Sequence, residues 1–172
     1  MMNVPFVPES VCNGGLGKEI AERRGGDLLS LDKVLLHSEP FARGWNSFFG
    51  AIRSSSLEVS PLLRETAIMF VAVLNDAPYE WKQHEKPFLA AGGTEEMLKE
   101  LRTAHFSVMS EEQLVVLALT QEMTKFVKVS DETMAKAKQT FSNRSLVEIL
   151  GTIAGYNCVS RFLVATGLAD SN

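Results

Sequence analysis

Hydrophobic residues along this chain recur at three- and four-residue steps and never in sustained alternation, a pattern that predicts helices and no sheet. Asp27-Leu28-Leu29-Ser30-Leu31-Asp32 opens a helical stretch whose leucines run through Leu36, and Ser38-Glu39-Pro40 stops it. Phe41, Trp45, Phe48, Phe49 and Ile52 then form one face of a helix from Pro40 to about Ser54. Ser60-Pro61 is a cap followed by proline at the first helical position. The helix it starts, Pro61 to Asn75, is apolar on nearly every side after Thr66, so it is expected at the centre of the fold. The next helix begins at Asp76 and Pro78, carries His84 and ends at Gly92-Gly93. Thr94 caps a short helix to about Arg102, and Ser110-Glu111-Glu112-Gln113 reads as a capping box for one reaching about Val127. Ser130-Asp131 starts another that ends near Ser142. A last long helix spans Arg144 to Thr166 and is closed by Gly167, with Gly151 and Gly155 allowing close packing. The expected fold class is all-α, with about seven to eight helices.

Residues 1–26 break this rhythm, with Pro5, Pro8, Gly14, Gly15, Gly17, Gly25 and Gly26 among them. They are expected to form an irregular N-terminal leader around one short helix, Leu16 to Arg24, ahead of a helical domain over 27–172. A chain of 172 residues has enough sequence for one core and too little for two good ones. Its 45% hydrophobic and 22% charged content is ordinary for a soluble domain. A net charge of −4, with Arg23-Arg24 the one basic cluster, argues against a nucleic-acid partner. The longest nearly apolar run, Ala67 to Leu74, falls well short of a bilayer, so no membrane partner is expected. Met1 to Ser10 lacks the basic-then-apolar order of a secretory signal, and Cys12 and Cys158 form no CxxC. These features read as a cytoplasmic protein with two free thiols.

The chemistry concentrates in Pro78-Tyr79-Glu80-Trp81-Lys82-Gln83-His84, with Arg64-Glu65 upstream. Polar groups that exchange protons are costly to bury, so their presence in the most apolar part of the chain needs a reason. Glu80 and His84 are four residues apart and share a helical face, with Trp81 flanking it. Glu80 lies in the first turn, where unpaired N–H groups and the helix dipole favour its ionised form. Glu65 belongs to the preceding helix and would face His84 if the two helices pack at a suitable angle. Helical spacing leaves both carboxylates open as the partner of the imidazole. Tyr79 lies off the His84 face and reads as packing or an oligomer contact.

These residues resemble the carboxymuconolactone decarboxylase-like proteins, which share the helical fold of alkylhydroperoxidase D. Arg64-Glu65, the YEWxxH sequence of residues 79–84, and Gly155-Tyr156-Asn157 followed by Arg161 carry the resemblance, which covers roughly Leu28 to Gly167. It implies an all-α domain without an organic cofactor that assembles into homo-oligomers: dimers, trimers or hexamers. Peroxidase members carry a CxxC pair where this chain, aligned on Glu65 and His84, has Ala77 and Glu80. Thiol-dependent peroxide reduction is therefore not expected. The expectation is a decarboxylase-type lyase acting on a small oxo-acid or lactone, or an isomerase or cyclase that shuttles protons. A non-catalytic, ligand-binding member of the fold is the alternative. In the catalytic reading His84, Glu65 and Glu80 move protons, and an arginine such as Arg161 holds a substrate carboxylate. Trp81 and Trp45 would wall the site, and Tyr79 and Asn157 complete the set of candidate substrate contacts.

Other motifs fail on their residues. His84, Glu80 and Glu65 have no second histidine nearby, and His84-Glu85 does not continue to HExxH, so no metal is expected. Gly14-Gly15-Leu16-Gly17-Lys18 lacks a phosphate loop's first glycine, and Glu19 replaces its hydroxyl residue. No GxSxG occurs.

Overall fold

A computed structural model of the chain describes residues 2–168; Met1 and the last four positions of the expected 27–172 domain lie outside the described residues. The described residues form ten helices and no strand. In chain order these are α1 (Glu9–Cys12), α2 (Gly15–Arg24), α3 (Ser30–Leu35), α4 (Glu39–Ile52) and α5 (Pro61–Leu74). They continue with α6 (Pro78–Ala90), α7 (Glu95–Thr103), α8 (Glu111–Phe126), α9 (Asp131–Thr140) and α10 (Asn143–Thr166).

The capping residues act as their chemistry requires. Ser60, Thr94, Ser110, Ser130 and Ser142 each accept a hydrogen bond from the backbone N–H three residues on. Gly167 closes α10 in the left-handed conformation, at φ +77°. The start of the His84 helix relies on a residue other than glycine: Asp76 sits at φ +50°, so the chain turns sharply out of α5 and α6 packs back onto it.

α5 is the hub. It packs on α8, α6 and α10, and every residue from Glu65 to Ala72 is buried. Two clusters meet along it. Ala67, Ile68 and Val71 join a large core with residues of α2, α3, α4, α8 and α10. Met69, Phe70 and Ala72 join a smaller one with Trp81, Phe88, Leu98 and Leu101 under α6 and α7. A helix covered on both sides has no polar face to spare, which accounts for its uninterrupted apolar sequence. α10 is the one described helix long and apolar enough to cross a membrane, and half of that window is buried inside the fold against α5 and α8.

Two expectations change here. Gly155 does permit close packing: a β-carbon there would lie 2.8 Å from Ile52 Cδ1, so α4 and α10 touch through it. Gly151 does not, because nothing lies within 4 Å of the equivalent position. The leader is also more ordered than its sequence promised. α1 and α2 fill much of it, and Val7, Leu16 and Ile20 enter the large core.

Candidate active site

α5, α6 and α10 bring polar groups to the same buried region. Glu65 stands near the start of α5, His84 on the second turn of α6, and Tyr156 and Ser160 one turn apart on α10. All four are buried, as is Glu80. His84 Nδ1 lies 2.7 Å from Glu65 Oε2. With Glu65 as a carboxylate, Nδ1 carries the proton and donates it, which leaves the lone pair on Nε2. The Tyr156 ring meets the imidazole edge-on, with centroids 5.0 Å apart, and fixes its plane.

Of the two carboxylates that the spacing left open, Glu80 does not contact the imidazole by a hydrogen bond. Glu80 shares a face with His84, yet its Oε2 accepts instead from Ser160 Oγ at 2.8 Å. Its Oε1 is buried with no hydrogen-bond partner. The expectation that the helix terminus would keep Glu80 ionised is likewise overturned. A helix dipole contributes about 0.3–1 kcal/mol to a nearby charge. Withdrawing a carboxylate from water with a single hydrogen bond to offset it costs several times that. Burial accordingly pushes the Glu80 pKa up to about 8, against a small downward pull from Ser160. At neutral pH Glu80 is a carboxylic acid with a proton to give.

His84, Glu80 and Tyr156 line a cavity of about 30 Å3, with Trp45, Phe49 and Tyr79 among its apolar walls. That is room for one or two water molecules. A larger ligand must displace Arg23, Gln83 or Arg53, the exposed long side chains that also line it. Arg53 donates from Nε and one terminal nitrogen to the Tyr156 hydroxyl, at 3.1 and 2.9 Å. Burial pushes that phenol's pKa up to about 12, against the pull of Arg53, so it stays protonated. Arg24 grips the fully buried Asp32 with Nε and a terminal nitrogen, at 2.7 and 2.8 Å.

The remaining expected contacts divide. Trp45 and Tyr79 line the cavity, so Tyr79 does more than pack outward. Trp81 does not: it turns to the smaller core, donates its indole N–H to Glu85 at 2.7 Å and carries Arg102 over its ring. α6 lies between two cores, and three residues of helix are enough to turn a side chain from one to the other. Arg161 and Asn157 also lie elsewhere. Arg161 is exposed and donates to the Asn157 carbonyl and side chain, while Asn157 ties Asn75 to Thr124. Arg64, the neighbour of Glu65, does not line the cavity. Sequence reasoning missed Arg23, Arg53 and Ser160. Their only trace was the Arg23-Arg24 doublet in an acidic chain and the Tyr156–Ser160 step on α10.

This arrangement of helices is the alkylhydroperoxidase D-like fold. It superposes on an uncharacterized peroxidase-related protein from Silicibacter sp. TM1040 with a TM-score of 0.79 at 16% identity, covering 96% of this chain and 88% of that one. It superposes on the alkylhydroperoxidase AhpD core of an uncharacterized peroxidase-related protein from Ralstonia eutropha JMP134 at 0.77, with 13% identity over 94% and 85%. A protein of unknown function from Agrobacterium tumefaciens gives 0.71, with 18% identity over 81% and 94%. The sequence itself matches no family model and no curated protein. At these identities the likeness concerns the fold.

Proposed function

We propose that this protein is an enzyme that transfers protons on a small carboxylated, enolisable compound, either a β-oxo acid or a lactone, without an organic cofactor. The observation that carries the reading is that His84 and Glu80 line one cavity, each held by a different partner. Glu65 orients His84 with Nε2 as the base, while Glu80 supplies a carboxylic acid whose Oε1 no protein group occupies. Two titratable groups held apart in this way are the signature of an acid–base pair. In the decarboxylase form the carbon–carbon bond to the carboxylate breaks and carbon dioxide leaves. Its electron pair remains as an enolate, and the enolate carbon takes the proton of Glu80 or of protonated His84. In the isomerase form His84 Nε2 removes a proton beside the carbonyl and Glu80 returns one elsewhere on the same enolate. Trp45 and Phe49 present apolar surface to the cavity, which limits competing water and strengthens both transfers.

Thiol-dependent peroxide reduction, which the peroxidase-related names of two fold neighbours would suggest, has little to support it here. Cys12 and Cys158 do not line the cavity, and Ala77 and Glu80 stand at the positions aligned with the redox pair. We further propose that several copies assemble in the cytoplasm, burying the half-exposed Phe41 and Phe48 rings of α4; light scattering on purified protein reads the copy number.

The test is mass spectrometry of β-oxo acids and lactones incubated with wild type and with His84→Gln. The wild type should release carbon dioxide from one class or produce a mass-neutral product, and the variant should not. Equal conversion by both proteins would refute the role of His84.

A further inference from the structure

We propose that Arg23 and Arg53 form a carboxylate seat at the mouth of the cavity, so that leader helix α2 supplies half of the substrate-anchoring charge. The choice of a carboxylate as occupant rests on the proton-transfer reading; the anion seat itself rests on geometry and charge.

Three guanidinium groups from two distant segments, Arg23, Arg24 and Arg53, line one small cavity in a chain of net charge −4. Arg24 already has a counter-ion, because Asp32 lies 2.7 Å from its Nε and accepts a hydrogen bond from a terminal nitrogen. Arg23 and Arg53 meet only neutral acceptors: the Asn46 side-chain oxygen at 2.7 Å and the Tyr156 hydroxyl. The nearby carboxylates balance them only in part: Asp32 pairs with Arg24, Glu65 and Asp32 raise the Arg53 pKa against its desolvation, and Glu80 is protonated at neutral pH, so a net positive charge remains. Burial and the charges of Arg24 and Arg53 lower the pKa of Arg23 against an upward pull from Asp32, whereas Arg53, against its desolvation, is raised by Tyr156, Glu65 and Asp32. The positive charge left over at the cavity mouth favours an anion there. A guanidinium's planar fork matches the two oxygens of a carboxylate.

Position supports the assignment. Arg53 is the C-cap of α4, and its Nε and one terminal nitrogen hold Tyr156, whose ring abuts His84. A carboxylate held by the rest of the Arg53 fork and by Arg23 would place the adjoining carbon on the side of Tyr156 that faces His84 and Glu80. Asn46, which holds Arg23 meanwhile, is a neutral partner that an anion can replace.

The experiment titrates malonate into the full chain and follows melting temperature and the fluorescence of Trp45, at an ionic strength held constant with sodium chloride. Malonamide, which has the same shape without charge, and inorganic phosphate serve as comparison ligands. Malonate should stabilise the wild type and malonamide should not. Arg23→Gln and Arg53→Gln should each weaken malonate binding about tenfold, the effect of losing one charge-assisted hydrogen bond. Arg53→Gln loosens Tyr156 and risks the fold, so the exposed Arg23 carries the test. Unchanged malonate affinity in Arg23→Gln, or malonamide binding as tightly as malonate, would overturn the seat. Phosphate binding more tightly than malonate would overturn its assignment to carboxylates. His84→Gln should bind malonate like the wild type while failing turnover. An intact seat with an unaffected His84 variant would refute the chemistry alone, and a lost seat with a dead His84 variant would refute the seat alone.

Discussion

Ser160 donates its hydroxyl to Glu80 Oε2 at 2.8 Å, and that one bond is all that the described residues offer a carboxyl group that is almost wholly buried. The acid therefore keeps its proton up to about pH 8 in the folded chain, against an ordinary value of 4.5. Between those two values the folded state binds more protons than the unfolded state, so stability falls as pH rises. Glu80→Gln has no such proton to lose. Its stability should be flatter across that window, and at pH 8 it should exceed wild type by on the order of 1–3 kcal/mol. Urea denaturation at a series of pH values reads both quantities, and parallel curves would remove the case for a buried neutral Glu80.

Glu65 acts on His84 through a 2.7 Å contact that selects the ring tautomer. Glu65→Gln keeps the shape but offers an amide that can present its N–H to Nδ1, shifting the ring proton to Nε2. Turnover should fall by roughly 10²-fold or more, within the range attributed to a positioned proton-transfer group. Rates for Glu65→Gln and His84→Gln side by side check this, and similar losses in both are expected of groups that work as a unit.

Tyr156 links the large core to the Arg53 side chain by two hydrogen bonds. Tyr156→Phe fills the same space and removes the acceptor. It should cost about 1–2 kcal/mol in urea denaturation, since Arg53 can turn back to water. The helical circular dichroism signal should not change.

Gly17 is where the leader folds tightly on itself: a β-carbon there would sit 2.4 Å from the Cys12 carbonyl oxygen. Backbone cannot yield as a side-chain tip can. Gly17→Ala would add about 1 kcal/mol of helix propensity, yet the clash should cost about 1–3 kcal/mol. A lowered melting point with faster proteolysis of the leader is expected, and a stabilised variant would show that α1 and α2 are not packed in this way.

Most of the helical punctuation was legible because it is local. Ser60-Pro61, Thr94, Ser110 with Gln113, and Gly167 carry their signals within four residues, and each acts at the helix end it marks. The leader was harder: the helix from Leu16 to Arg24 was legible, but the four-residue α1 was not, and the apolar contacts of Leu16 and Ile20 become visible only against α3 and α4. The candidate site was legible in part. Glu65, Glu80 and His84 stand close in sequence, but helical spacing does not choose between the two carboxylates. Ser160, eighty residues from Glu80, takes it away, and α5 delivers Glu65 instead. The cations were misassigned for the same reason. Arg161 sits in the last helix near residues that do reach the cavity, yet it points to Asn157, whereas Arg23 and Arg53 arrive through tertiary packing.

Proton transfer at carbon can be watched directly. Whichever oxo-acid or lactone is turned over, the reaction run in deuterium oxide and followed by proton NMR reports whether solvent deuterium enters the carbon next to the carbonyl. Wild type should place deuterium there, and both His84→Gln and Glu80→Gln should slow its entry by about 10²-fold or more. Deuterium entering at the wild-type rate in those variants would contradict an acid–base site built on His84 and Glu80.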